Sequence, residues 1–185
     1  MASHASRQLA ARSEYSHIGF MWILTPRLVG LIVAALAAAA LGLALASEWW
    51  GGLVPCALCL WERWPYRVAI VLGLLVMVAP RAAIRPAIFL VVLTILTGAA
   101  LAAVHAGVEF RWWPSPLPEC AAPKFGSGSI ADRLAAMPAL PAKPCDDPTY
   151  LIPFLPVSMA AMNLLFSLAF AGFVARALRK KADFR

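Results

Sequence analysis

Residues 28–47 read LVGLIVAALAAAALGLALAS and carry no charged side chain. A helix needs about 20 apolar residues to cross the hydrocarbon core of a bilayer. Three comparable stretches follow, at 62–79, 87–106 and 156–175. The second, ERWPYRVAIVLGLLVMVA, is charged where it begins and apolar after Arg67; the third has His105 as its one ionisable group. In lipid, helices and closed barrels are the structures that satisfy their own backbone, and these runs lack the alternation of barrel strands. The expected fold class is therefore an all-α membrane protein, a four-transmembrane-helix bundle. The four spans would form a single domain over 27–180, preceded by an extension at 1–26 and followed by a tail at 181–185. The first apolar run is too long, and lies too far into the chain, for a cleaved signal peptide.

Composition agrees: 62% of residues are hydrophobic and 14% charged, where soluble domains have about a quarter charged. The net charge of +7 does not point to nucleic acid, because the basic residues lie in short connectors rather than along one stripe. With four spans, both ends and the 80–86 connector share a side. That side holds ten of the sixteen basic residues, among them Arg27, Arg81, Arg85, Arg176 and Arg179. The excess of positive charge in cytoplasmic segments places both termini in the cytoplasm and the loops at 48–61 and 107–155 outside. All four cysteines then fall on the outer side, Cys56 and Cys59 in the first loop and Cys120 and Cys145 in the second. Disulfides persist outside the cytoplasm. The long loop holds nine prolines between 107 and 153 and is expected to be irregular. Ser129 and Asp132 resemble a capping box, with Ile130, Leu134 and Met137 at helical spacing. This island reads either as a short helix on the membrane surface or as an ordered turn.

Four cysteines permit three disulfide connectivities, and the pairs expected at rest are Cys56–Cys59 and Cys120–Cys145. A Cys120–Cys145 bond suits a staple, closing a loop of roughly 25 residues at a gain of a few kcal/mol. A bond across C-x-x-C closes almost nothing. That spacing suits a bond made and broken during function, or half of a metal site. Zinc would want two more Cys or His, and His105 is the one histidine near the outer face, so no metal is expected. Cys59 and Arg63 are four apart and share a helix face, which lets the guanidinium favour the thiolate. Alternatively Arg63 is an interfacial anchor paired with Glu62, within a belt of Trp49, Trp50, Trp61 and Trp64. Thiol oxidation also needs an electron acceptor, and a membrane-dissolved quinone would be local. Trp61, Trp64 and Tyr66 could pack its ring or be ordinary interfacial aromatics.

The stretches PCALCLWER at 55–63, HAGVEFRWWPSPLPEC at 105–120, PCDDP at 144–148 and PVSMAAMNLLFSL at 156–168 together resemble the disulfide-bond-formation protein B (DsbB) family of bacterial inner-membrane oxidoreductases. The resemblance covers 28–175. It implies a multi-pass protein of the inner membrane with its cysteines on the periplasmic side. A reduced DsbA-like thioredoxin-fold partner would attack Cys120, Cys145 would exchange with Cys56, and Cys59 would reduce a bound ubiquinone or menaquinone. It further implies that Arg63, with Glu62 beside it, supports the quinone site and that His105 lies near the quinone. The chain would act as a monomer in contact with lipid, and no nucleic-acid partner is expected. The competing readings are a non-catalytic membrane scaffold braced by structural disulfides and an enzyme resembling vitamin K epoxide reductase. The residues that follow the C-x-x-C, Glu62 and Arg63, disfavour the latter.

Overall fold

Thr25 and Pro26 set the start of the first helix: the Thr25 hydroxyl accepts from the Leu28 N–H at 3.3 Å, and proline at the first helical position gives up an N–H that would have no partner there. The computed structural model describes residues 25–120, 129–135, 143–152 and 154–179; the expected extension at 1–26, all but its last two residues, and the tail at 181–185 lie outside these. Four long helices occupy the four apolar stretches: α1 (Pro26–Trp49), α2 (Ala57–Val78), α3 (Arg81–Glu109) and α5 (Met159–Arg179), with a six-residue α4 (Ile130–Ala135) in the long loop. No strand forms among the described residues beyond one isolated parallel bridge between Cys56 and Lys143.

Three helices, α1, α3 and α5, are long and apolar enough to cross a membrane. The sequence reading expected four. The difference lies in α2, which has 22 residues but carries Glu62, Arg63 and Arg67 in its first half. Glu62 and Arg63 are buried inside the bundle, whereas the second half of α2 turns Val68, Val71, Leu74, Leu75 and Val78 outward. Phe89, Leu90, Leu93 and Leu96 do the same on α3. Such a surface is far more apolar than water-soluble monomers expose.

The core is built from stripes at helical spacing. Val29, Val33 and Ala37 of α1, Ala69 and Val76 of α2, Ile84, Ile88, Val91 and Ile95 of α3, and Phe170, Ala171 and Val174 of α5 form one buried cluster. Packing follows chain order, α1 on α2, α2 on α3 and α3 on α5, while α1 and α5 scarcely touch. The α1–α2 crossing is close because two glycines meet there. A Cβ on Gly73 would come within 2.8 Å of the Gly30 carbonyl oxygen and the Ala34 nitrogen. Small residues let membrane helices approach in this way.

In the long loop, Ser129 and Asp132 cap α4 reciprocally: the Ser129 N–H donates to the Asp132 carboxylate at 2.9 Å, and the Asp132 N–H to the Ser129 hydroxyl at 3.2 Å. The island is thus a short helix, beginning with an exposed Ile130; Met137 lies outside the described residues. Ser158 starts α5 by accepting from the Ala161 N–H at 3.2 Å.

Replacing Gly73 by alanine should force the crossing apart and cost about 1–3 kcal/mol, the usual range for overpacking. Gly42→Ala, whose added Cβ meets nothing, is the control. Thermal unfolding in detergent should show a lowered Tm for the first variant alone.

Candidate functional site

Helix α2 begins at Ala57 with Cys56 as its N-cap residue, and the Cys59 N–H donates to Cys56 Sγ at 3.2 Å. A sulfur therefore takes the place that a serine or aspartate oxygen usually fills, facing the positive end of the helix dipole. Cys56 and Cys59 are free thiols with their sulfurs 2.9 Å apart, whereas Cys120 and Cys145 form a disulfide. The expected Cys120–Cys145 bond is present, and the C-x-x-C pair stands in the dithiol form in place of the expected bond. Neighbours decide the proton between them. The hydrogen bond from Cys59 pulls the Cys56 thiol below its ordinary range, against the opposing effect of burial. The same hydrogen bond, with burial adding to it, pushes the Cys59 thiol well above that range. Arg63 does not lower Cys59 as its spacing had suggested, because its guanidinium donates to Glu48 Oε2 at 2.7 Å. The alternative pairing of Arg63 with Glu62 is not made either.

Glu62 points the other way, into the bundle. Its Oε1 lies 2.8 Å from His105 Nδ1 and its Oε2 accepts from Asn163 Nδ2 at 2.6 Å. With Nδ1–H committed to a carboxylate, His105 turns Nε2 to Cys56 Sγ at 3.4 Å. The orientation of an imidazole is set by the bond its other nitrogen makes. Asn163 in turn accepts from the Tyr66 hydroxyl, and Ser167 reaches the same hydroxyl at 2.9 Å. A continuous polar chain thus runs from Ser167 on α5 through Tyr66, Asn163, Glu62 and His105 to Cys56. Among the described residues no buried side-chain polar atom lacks a partner. Glu109, one turn beyond His105 on α3, places Oε1 3.9 Å from Nε2 and is held by the Ser158 hydroxyl.

The two sulfurs share one set of neighbours and differ in what else they reach: Cys59 packs against the cluster that buries Cys56 and also meets a cavity. Cys56 is buried in one small cluster with Leu58, Val108, Cys120 and Cys145. The Cys56–Lys143 bridge and a Cys145 N–H to Cys120 C=O bond of 3.3 Å hold the long loop there. Cys59 also lines a cavity of about 350 Å³ with Glu48, Glu62, Arg63, Tyr66, Asn163 and Phe166. This cavity fills the seam between α1 and α5. Its walls are mostly aliphatic and its polar atoms gather beside Cys59, the usual makeup of a site for an apolar ligand with a polar head. Trp61 and Trp64, offered from sequence as ring-packing residues, are exposed instead and do not line it. A second groove, beside Cys120, is bordered by Trp112 and Trp113. Trp113 lies over Gly107, where any side chain would occupy the ring's position, and donates to the Val104 carbonyl at 3.2 Å.

All seven residues singled out from sequence lie in this one region. Reasoning from sequence missed Asn163, Glu48 and Glu109. A polar Asn near the start of an apolar span is a signal in itself; Glu109 lay within the quoted stretch at 105–120 without being singled out, and Glu48 carried no motif. Cys56, Cys59 and His105 also come within 4.8 Å of one another, a grouping that sequence spacing did not reveal.

The chain matches the family model described as disulfide bond formation protein DsbB over residues 26–177. Neither a curated protein nor a solved structure is similar enough to count as a match.

Because its proton is shared, the reduced pair should keep one thiolate at pH values below those of an ordinary thiol, about 8.5. Falling pH should protonate it and remove the thiolate absorbance in reduced-minus-oxidised ultraviolet spectra of a Cys120→Ser/Cys145→Ser chain. Adding Cys59→Ser should shift the titration upward, since Cys59 supplies the largest lowering effect on Cys56.

Proposed function

This chain belongs to the DsbB family, and from that premise we propose that it carries electrons from a periplasmic dithiol protein to a membrane quinone. Membership makes it a disulfide-forming oxidoreductase, and its long apolar helices make it an integral membrane protein. The finer reading is four spans with both termini cytoplasmic and the cysteines periplasmic. The apolar outer face on the second half of α2 supports counting α2 as a span, with Glu62 and Arg63 turned inward and Arg67 at the surface over the Trp64 ring.

One observation carries the proposal: the C-x-x-C joins two environments, the disulfide cluster against which both cysteines pack and the cavity that Cys59 alone of the two lines. Cys56 packs with the Cys120–Cys145 disulfide, while Cys59 lines the apolar cavity. A dithiol partner of thioredoxin type attacks Cys120, and the electrons pass by thiolate–disulfide exchange from Cys145 to Cys56. Two electrons and two protons leave the partner, whose thiols become a disulfide, and they accumulate on Cys56 and Cys59. His105 Nε2 is placed to take or return the Cys56 proton, with Glu62 holding the ring and balancing its charge. The same Cys–His–carboxylate logic activates thiols elsewhere.

The residues around the cavity fit a quinone. Its aliphatic walls suit an isoprenoid tail, and Arg63, Glu62 and Asn163 offer polar groups at the end where Cys59 lies. A bound quinone supplies a two-electron, two-proton acceptor. Arg63, braced by Glu48, contributes a fixed positive charge where negative charge would develop, and Tyr66 closes the inner wall.

Anaerobic mixing of the purified chain with a reduced thioredoxin-fold partner and a soluble ubiquinone analogue should consume the quinone. Cys59→Ser should abolish consumption; quinone loss that persists in this variant refutes the proposal. Arg63→Ala should raise the KM for quinone about 10-fold or more, as expected for a lost charge-assisted hydrogen bond, and leave exchange with the partner unchanged. His105→Ala should slow the chemical step by about 10²–10⁴-fold, the usual contribution of a positioned base.

A further inference from the structure

The electron-carrying pair meets a second chemical requirement. Cys56 Sγ, Cys59 Sγ and a His105 ring nitrogen lie within 4.8 Å of one another, held by the first turn of α2 and the outer end of α3. Zinc binds thiolates at about 2.3 Å and imidazole nitrogen at about 2.0–2.1 Å, so the donors of one tetrahedral ion stand about 3–4 Å apart. Cys56 Sγ is 3.4 Å from His105 Nε2 and 2.9 Å from Cys59 Sγ. A small opening of the two sulfurs admits an ion. The third donor is already oriented for it. Metal-binding histidines give their other N–H to a carboxylate or carbonyl, which fixes the ring and raises its basicity, and Glu62 Oε1 sits 2.8 Å from Nδ1. Glu109 Oε1 lies 3.9 Å from Nε2 but outside the three-donor group, so the fourth position is left to water.

We propose that the reduced Cys56–Cys59 pair and His105 form a site for a thiophilic divalent cation such as zinc, and that its occupancy arrests the protein in the dithiol state. The site stands on geometry alone; the arrest rests on the disulfide-transfer reading. Binding one Zn²⁺ displaces the protons the pair still holds, two from the dithiol or one where Cys56 is already a thiolate, and moves no electrons. The oxidised pair has no thiolate to offer, so the site exists only after electrons have arrived. The ion then holds the very sulfurs that must lose them.

The test uses the full chain in detergent with Cys120→Ser and Cys145→Ser, which leaves Cys56 and Cys59 as the only two of its four cysteines. Co²⁺ is titrated anaerobically into the reduced and the oxidised protein. The reduced form should bind one equivalent, with thiolate-to-cobalt charge-transfer absorption and tetrahedral d–d bands that Zn²⁺ removes. The oxidised form should bind none. Glu62→Gln should weaken binding by about 10–100-fold, the usual effect of losing an outer partner of a ligating histidine. No charge-transfer band in the reduced protein, or equal binding by the oxidised protein, overturns the site. The arrest is read in a single turnover without partner: reoxidation of the pre-reduced chain by a soluble quinone should stop at one equivalent of Zn²⁺ and resume with a chelator. Unimpeded reoxidation at full occupancy overturns the arrest. A chain that binds Co²⁺ yet never reduces quinone in metal-free buffer removes the disulfide-transfer reading and the arrest with it, and leaves the site standing.

Discussion

The Glu62 carboxylate organises the half of the bundle that carries the cysteines. It is a charge buried among apolar helices, tolerable only where both oxygens find strong donors. His105 on α3 and Asn163 on α5 supply them. One side chain of α2 thereby fixes the facing positions of two other helices. Removing it would strand an imidazole and an amide together, a cost paid in three helices at once. The same bond that satisfies Glu62 turns His105 toward Cys56, so the element that holds the fold together also aims the chemistry.

Around that centre the polar groups are divided by destination. Arg63, the neighbour of Glu62 in sequence, points to Glu48 on α1 and the cavity. Consecutive residues on a helix are about 100° apart, so an adjacent acid and base need not meet. Here each serves a different wall. The C-x-x-C at the helix start is divided less sharply: both members pack against the long-loop disulfide, and only the first-turn member lines the cavity.

Much of this was legible in the chain. Apolar runs longer than any soluble helix requires placed four helices, and the capping pair Ser129 and Asp132 marked the short one in a proline-rich loop. The cysteine pattern and the Glu62–Arg63 step marked the site. What stayed hidden was pairing. Sequence gives neighbours along one helix, and so it matched Arg63 with Cys59 or Glu62, whereas the actual partner, Glu48, belongs to a different helix. His105 could be suspected but not aimed, because its orientation depends on Glu62, 43 residues away in the chain. Asn163 sat in plain view in an apolar run, but its role follows only from the approach of α5 to α2 through Tyr66.

Under the proposed function, the seam between α1 and α5 bears on how the protein would meet a membrane-dissolved acceptor. The two helices scarcely touch, and the space between them is the cavity beside Cys59. A ligand that dissolves in hydrocarbon can reach such a slot sideways, from within the lipid, without crossing the headgroups or shedding a shell of water. Its effective concentration is then its mole fraction in the bilayer. Diluting the same quantity of acceptor with more lipid would slow the protein, even at constant concentration in the whole suspension.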